Sequence, residues 1–497
     1  MSETSTGALT TDAGVGTIIE PFSVTDASGR AWEMVVGLEV HCELATATKI
    51  FCGCANRFGA EANTNVCPVC LGLPGSLPVL NHQVVELAMR IGRALRCSVE
   101  PSVFHRKNYF YPDMPKDYQV SQYDRPINVD GELELPDGSV IGIERAHLEE
   151  DTGKSTHVGG GGRIHDAVHS LVDYNRAGIP LVEIVGRPHI RTPDQARAYV
   201  QELRAVLLAT EASDAKMEEG SMRVDANVSM RPAGTDDLGT RCEIKNLNST
   251  RSLVRAIEYE ARRQVDLLAS GERIVQQTRH WNEEDGRTHT LRSKEEADDY
   301  RYFPEPDLVP LEPDEAWVAA IDAALPVLPA ARRRTLAERA GADAPTAALL
   351  VERDLDGLVL EAVEVGGEPG RLLTRAANDL AGDGPGLLTA GAFASTSRME
   401  ADGALTATQA KAVLAELVER GGDPQAVAAA RGFEAMADDA LATAVDDAIA
   451  SDAGAWQRYV DGDPKVAGLF VGKVMKATSG KADGKAVTAL LRQRATG

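Results

Sequence analysis

No run of apolar residues in this sequence is long enough to cross a bilayer as a helix. The first residues lack the basic patch and apolar core of a secretory signal, so the expected location is the cytoplasm. Basic residues are scarce: 52 Lys and Arg stand against 75 Asp and Glu, a net charge of -23. That balance excludes a protein that binds nucleic acid over its whole surface, and any such site must be a local basic patch. Cysteine is sparse and odd in number, seven in all, with four of them clustered. A disulfide framework is therefore not expected, and a reducing compartment with a metal site fits better. Apolar residues are not lacking: at 43% they exclude wholesale disorder. A chain of 497 residues is too long for a single core, so two to four domains are expected.

The chain is organised around the stretch MVVGLEVHCEL at 34–44. Read with a period of two, Val36, Leu38, Val40, Cys42 and Leu44 fall on one face, and Gly37, Glu39, His41 and Glu43 on the other. A strand does this because successive side chains leave opposite sides of the pleat. Two carboxylates and an imidazole on one face can hold a divalent cation, with Gly37 leaving room beside them. The plainer reading is the solvated side of an edge strand.

Past this strand come Cys52 and Cys54, then Cys67 and Cys70. Each pair puts two thiolates on one tight turn, and two such turns complete a closed tetrahedral shell for structural zinc. Cys42, Cys97 and Cys242 read as core residues. A helix is expected over 81–96. The aromatic and cationic loop 106–113 (RKNYFYPD) suits a cleft wall or a packed surface equally. The stretch HLEEDTGKSTH at 147–157 mimics a phosphate loop, but Leu148 stands where its first glycine is required, so that reading fails. What remains is the triplet Glu149, Glu150 and Asp151 beside Lys154, chemistry suited to a metal and a phosphate. The glycine run at 159–162 reads as a flexible insertion.

The segment PLVEIV at 180–185 is a nearly continuous apolar strand with one carboxylate, Glu183, which is costly there unless paired or bound to a metal. Thr192 to Gln195 reads as a capping box opening a helix to about Leu208. Arg223, Asp225, Asn227 and Ser229 share one face of a further alternating strand, and Glu243 and Lys245 repeat the theme. Ser249 caps a helix to Ala269, ended by Gly271. Beyond about residue 311 the composition shifts to Ala, Leu, Asp and Glu at helical spacing, and Thr406 to Gln409 forms a second capping box before a helix that stops at Gly421. The last segment inverts the charge, with Lys465, Lys473, Lys476, Lys481, Lys485, Arg492 and Arg494 against Asp483 alone. In so acidic a chain this segregation is an electrostatic footprint for nucleic acid, carried by Lys473, Lys476, Lys481 and Lys485.

VGLEVH at 36–41, the two cysteine pairs, RKNYFYPD at 106–113, HLEED at 147–151, KMEEG at 216–220 and DYRYFPEPD at 299–307 together resemble the B subunit of the aspartyl/glutamyl-tRNA(Asn/Gln) amidotransferases. The resemblance runs from about residue 33 to the C-terminus, where GKVMKA at 472–477 is similar to the family's tail. It implies an α+β fold: a flexible segment 1–30, a β-rich cradle 31–310, a helical domain 311–405 and an all-helical tRNA-binding tail 406–497. It also implies ATP-dependent activation of the side-chain carboxylate on misacylated Glu-tRNA(Gln) or Asp-tRNA(Asn). Ammonia would come from the amidase (glutaminase) partner, the family's A subunit, with the small C subunit completing a heterotrimer. Mg2+ is placed on Glu39, His41, Glu149 and Glu183, and Glu150, Lys154, Glu218 and Glu219 are expected to bind the nucleotide. Two departures are the segment 157–171, longer than in compact members, and the extension before Trp32. A non-enzymatic protein that binds tRNA or serves as a scaffold is the competing class, separated by ATP-dependent phosphate transfer. A self-sufficient amidase-ligase is disfavoured by the lack of a Gly-Gly-Ser-Ser stretch.

Overall fold

The computed structural model describes residues 22–159, 167–293, 300–380, 384–433, 438–461, 463, 466–478, 482 and 484–496, with the backbone alone at 246, 292, 293, 438, 485 and 496. Among them are fifteen strands: β1 (Ser23–Thr25), β2 (Ala31–Glu43), β3 (Ser98–Val99), β4 (Val103–Asn108), β5 (Tyr118–Arg125), β6 (Asn128–Glu134), β7 (Val140–Glu150), β8 (Lys154–Val158), β9 (His169–Asp173), β10 (Pro180–Gly186), β11 (Met222–Pro232), β12 (Cys242–Leu247), β13 (Gln277–Asn282), β14 (Arg287–Ser293) and β15 (Phe303–Pro304). The chain divides into two compact units between Ala330 and Ala331. The mixture of a large sheet and many helices is α+β, as the family resemblance implies.

In the first unit one sheet runs β14-β13-β12-β11-β2-β10-β7-β5-β4-β15, with β1 paired to β2, β6 to β7 and β3 to β6, and β8–β9 as a separate hairpin. Among the described pairings β12–β13 is parallel and the others are antiparallel. The expected face of β2 is the buried one: Val36, Leu38, Val40, Cys42 and Leu44 are almost fully excluded from water. They share one core with Leu148, Val182, Ile184, Val224 and Ala226 and with the helices His82–Ala94, Pro193–Ala209 and Thr250–Ala269. Each such aliphatic side chain contributes about 1.5–3 kcal/mol on burial, so the register that keeps them together is strongly specified.

Helix ends follow local chemistry. Asn81, Thr192 and Ser249 each accept a backbone N–H of the first turn. At Thr192 the expected capping box is only half made, because the Gln195 side chain accepts from the Arg191 N–H instead. At Thr406 both reciprocal bonds are present.

Three boundaries differ from expectation. The segment read as loose through residue 30 contains β1, which pairs with β2. The break placed near 311 falls later, since helix Glu315–Ala323 belongs to the first unit. Its Ile321 enters the sheet's core, Asp322 pairs with Arg93 at 2.7 Å, and Trp317 stacks on His82 at 4.8 Å. The tail does not start at 406 as a separate core. In the second unit Val413, Leu414 and Leu417 of helix Ala407–Arg420 pack with Leu336, Leu372 and Phe393. A distinct core begins only at Leu441 and gathers Val445, Phe470, Val474, Val487 and Leu491. Of the expected glycine insertion at 159–162, residues 160–162 lie outside the described residues.

Candidate functional site

The unburied face of the sheet forms the floor of a cleft of about 900 Å³. Register builds it. Glu183 of β10 pairs across with His41 of β2 on one side and His147 of β7 on the other, and His41 pairs in turn with Arg223 of β11. His147, Glu183, His41 and Arg223 thus form one row across four strands. In the neighbouring rows Glu149 lies opposite Leu181, and Glu39 lies opposite Val185 and Asp225. Residues directly opposite in antiparallel strands share a face, so one row places every second residue beside it on the same face.

His41 Nε2 lies 3.6 Å from Glu149 Oε1 and 3.8 Å from Glu183 Oε2, and His147 Nε2 lies 3.4 Å from Glu183 Oε2. One ligand atom from each of His41, Glu149 and Glu183 falls within 4.8 Å of the others. Burial and then the charge of Glu183 push the Glu149 carboxyl up to about 7. Burial opposes the charge on Glu183 too, but His147, His41, Arg145 and Lys107 outweigh it and hold that carboxyl below its ordinary value. Burial drives His147 down to about 4, so it is neutral at pH 7, and neither ring nitrogen has a hydrogen-bond partner. Two carboxylates and an imidazole, with a buried imidazole left unpaired beside them, fit a divalent cation. Glu39 stands outside that triad. Its Oε1 accepts from Asn227 at 2.8 Å, and burial followed by Glu183 raises its pKa.

Cations border this acidic centre. Arg223 pairs with Asp151 at 2.7 Å, and Lys245 bridges Asp225 and Glu243. Lys107 lies over the Tyr300 ring, Arg145 over Tyr123, and Tyr123 stacks on Tyr302. All line the cleft. Arg223, Asp225, Glu243 and Lys245 are visible in the sequence as a mixed-sign face; what assigns that face to the cleft is cross-strand register. His147 gives no separate signal beyond its position two residues before Glu149.

The four residues expected to join the nucleotide site do not reach the cleft. Glu150 follows Glu149, so the pleat turns it to the opposite face, where Lys116 Nζ holds both its oxygens and the Val120 N–H donates to it. Lys154 opens β8 as an exposed side chain away from the cleft lining. Glu218 and Glu219 sit exposed on the turn before β11, where Glu219 pairs with Lys216. Gly153, the glycine of the phosphate-loop mimic, serves close packing: an added Cβ would meet the Asp113 and Asp173 carbonyls at 3.0 and 3.1 Å. Gly37 likewise sits against the Gly186 and Pro188 backbone and not beside the carboxylates.

The four cysteines converge. Cys70 Sγ lies 3.5 Å from Cys52, 3.7 Å from Cys67 and 3.8 Å from Cys54. The edge of a tetrahedron with metal–sulfur bonds of about 2.3 Å is about 3.8 Å, so this donor set fits zinc. The Cys52 contact, then the Cys67 backbone hydrogen bond and Lys49, draws the Cys70 thiol down to about 4, while burial lifts Cys54 to about 11. Cys42, Cys97 and Cys242 are buried and free, as the sequence suggests.

In the second unit Lys473 pairs with Asp452 at 3.0 Å, and Arg494 with Asp446 at 2.9 Å. Lys476 is exposed beside a groove between helices Asp438–Ala450 and Ala467–Ala477. Lys481 lies outside the described residues, as does the side chain of Lys485. Among the described residues no helix is long and apolar enough to cross a membrane.

Two family models match this chain: "GatB/GatE catalytic domain" over residues 34–319 and "GatB domain" over residues 380–494. Curated proteins named as the B subunit of aspartyl/glutamyl-tRNA(Asn/Gln) amidotransferase are similar to it nearly end to end. The protein of Frankia casuarinae is 50% identical over 95% of this chain and 97% of its own length. That of Mycobacterium sp. (strain KMS) is 49% identical over 93% and 95%. That of Thermobifida fusca is 47% identical over 98% of each. With a catalytic-domain model spanning the cleft and relatives aligned over both units, the chain belongs to the B-subunit family of the aspartyl/glutamyl-tRNA(Asn/Gln) amidotransferases.

Proposed function

We propose that this chain is the ligase component that uses ATP and Mg2+ to activate the side-chain carboxylate of a misacylated Glu-tRNA(Gln) or Asp-tRNA(Asn). The activated acyl group then meets ammonia released from glutamine by an amidase partner, the A subunit, with the small C subunit in the same complex, to give Gln-tRNA(Gln) or Asn-tRNA(Asn). The observation that supports this most directly is the convergence of His41, Glu149 and Glu183 in the floor of a cation-bordered cleft.

Phosphorylating a carboxylate needs positioning and neutralised charge more than covalent help from the protein. His41, Glu149 and Glu183 would hold Mg2+, with Glu39 beside them on the same strand face, and the metal when bound would offset phosphate charge. Arg223 and Lys245 stand one and two strands from His41, placed to receive phosphate oxygens. Arg145 and Lys107 can orient the anionic side chain to be activated, and the tyrosine wall excludes water from that end. Zinc at the cysteines is closed by four thiolates and therefore structural. The tail, through Lys473, Lys476, Lys481 and Lys485, would hold the tRNA body.

The test is co-expression with the amidase and the small partner, followed by ATP-dependent amidation of both misacylated tRNAs. Amide formation with stoichiometric ATP hydrolysis on either tRNA is the expected result. A complex that binds tRNA but neither cleaves ATP nor forms amide would instead make this chain a scaffold.

A further inference from the structure

The loop that carries the cysteines is bound to one turn of the chain far more densely than a metal staple requires. Between the cysteine pairs, the Asn63 N–H donates to Asp173 Oδ1 at 3.0 Å, and its side-chain amide donates to the Val172 carbonyl and accepts from the Tyr174 N–H. The Asn65 N–H donates to Asn175 Oδ1 at 2.8 Å, and Asn175 Nδ2 donates back to the Glu61 carbonyl at 2.7 Å. The Ile50 N–H donates to the Gly178 carbonyl at 3.0 Å. The fully buried Lys49 ammonium spans both sides, donating to the Ala177 carbonyl at 2.8 Å, to the Asn65 carbonyl at 3.1 Å and to Cys70 Sγ at 3.5 Å.

The turn held in this way, 173–179, carries Arg176. Its guanidinium forks onto the Thr152 and Gly153 carbonyls, each at 3.0 Å, and lies 3.4 Å from Asp151 Oδ2. That same oxygen takes the 2.7 Å bond from Arg223 in the cleft. The backbone repeats the link, since the Gly178 N–H donates to the Asp151 carbonyl at 2.9 Å and the Asp151 N–H to the Ile179 carbonyl at 2.8 Å. Gly178 makes this turn at φ +81°, a conformation that a side chain would strain.

We propose that Arg176 is a positioning residue through which the cysteine loop sets the nucleotide cleft, so that metal binding at the four thiolates and nucleotide binding at the cleft are positively coupled. This rests on the functional reading above for the identity of the cleft's ligand. The physical link is mechanical. A metal held by four thiolates ties the two cysteine turns to each other, and Lys49 ties that loop to the 173–179 turn through Cys70, the Asn65 carbonyl and the Ala177 carbonyl. Without the metal the two turns are free to part, and Lys49 loses the fixed seat between Asn65 and Cys70. Its grip on Ala177 then weakens, the 173–179 turn loosens, and Arg176 no longer fixes Asp151 against Arg223. By linkage, nucleotide held at the cleft must tighten metal binding by the same factor.

The experiment follows amide exchange and nucleotide affinity in the full chain, with Zn2+ loaded or stripped by a chelator, for the parent and for Arg176→Lys. Lysine keeps the charge and loses the fork. In the parent, stripping should speed exchange at Asp151 and Gly178 by about tenfold or more while β13 and β14 hold their rates, and should weaken Mg–ATP binding about tenfold. In Arg176→Lys the zinc content should stay whole, the Asp151 amide should already exchange fast, and stripping should weaken Mg–ATP no further. Equal exchange at Asp151 and Gly178 with and without zinc would overturn the proposal, as would an equal loss of nucleotide affinity on stripping in the variant and the parent. If stripping unfolds the chain, fast exchange at Asp151 in zinc-loaded Arg176→Lys supports the proposal and parental exchange there defeats it. If the parent binds no Mg–ATP at all, the functional reading fails and the exchange arm alone decides the coupling.

Discussion

Among its described residues the first unit contains two clusters able to hold a metal, and they are made in opposite ways. The thiolate cluster draws its four ligands from residues 52–70, two turns of one loop, and all are soft sulfur. The carboxylate cluster draws His41, Glu149 and Glu183 from three strands spread over more than a hundred residues, and offers hard oxygen with one imidazole. Four sulfurs close their shell and leave nothing for a substrate. Three ligands at the floor of a cleft leave positions open, and cations surround them. A closed local shell contributes folding energy, whereas an open one assembled by register costs stability, because it buries like charges. The raised pKa of Glu149 records that cost.

The sharpest way to break this comparison is Glu183→Gln, which keeps the shape and removes the charge. Amidation should fall by about a hundredfold or more, since metal-assisted charge neutralisation supplies several kcal/mol of barrier lowering. tRNA affinity and the partner's basal glutaminase activity, measured on the same preparation, should persist. An amidation rate equal to the parent's would remove Glu183 from the metal site. Cys67→Ala tests the other cluster. It should release zinc and lower Tm by about 4 °C, roughly what 3 kcal/mol does in a unit of this size, as read by calorimetry and metal analysis. Full zinc content in the variant would show that the shell is not the one described.

Protons distinguish the clusters next. Glu149 must lose its proton to bind a cation, and its carboxyl sits at about 7. Mg2+ affinity at the cleft should therefore fall about tenfold per pH unit below 7, a slope that Glu149→Gln should flatten in titrations between pH 5.5 and about 8. The same raised pKa carries a sign for the metal-free chain. The stability it contributes is present below the ordinary Glu value and is lost as pH rises through about 7. The smallest effect belongs to the second unit. Lys476→Gln should lower the salt dependence of tRNA binding by about one unit, and Lys473→Gln by less, because Asp452 already holds Lys473. Equal slopes for parent and both variants would take the basic segment out of the tRNA interface.

Much of the first cluster is legible from spacing alone, as are the helix starts at Asn81, Ser249 and Thr406, because each depends on chemistry within four or five residues. The second cluster is half legible. Alternation places Glu39 and His41 on one face, and the apolar run around Glu183 marks it as costly. Glu150 shows how a residue comes to be misplaced. Adjacency groups Glu150 with Glu149, although a strand sends neighbours to opposite faces, and Glu150 is held by Lys116 on the other side. The boundary near 311 follows composition, whereas Ile321 follows the core it can bury against.

Arg176 marks the limit. Nothing in its neighbourhood announces a role, because its partners Asp151, Thr152 and Gly153 lie on another segment and its seat is made by Asn63 and Asn65, about 110 residues away. The sequence by itself determined the faces of the strands, the caps of the helices and the thiolate shell, since period, capping and turn geometry act over a few residues. Only the tertiary structure decided which charged faces meet, because cross-strand register is set by burying the opposite, apolar face of the same strands, and that burial is shared among segments far apart in the chain.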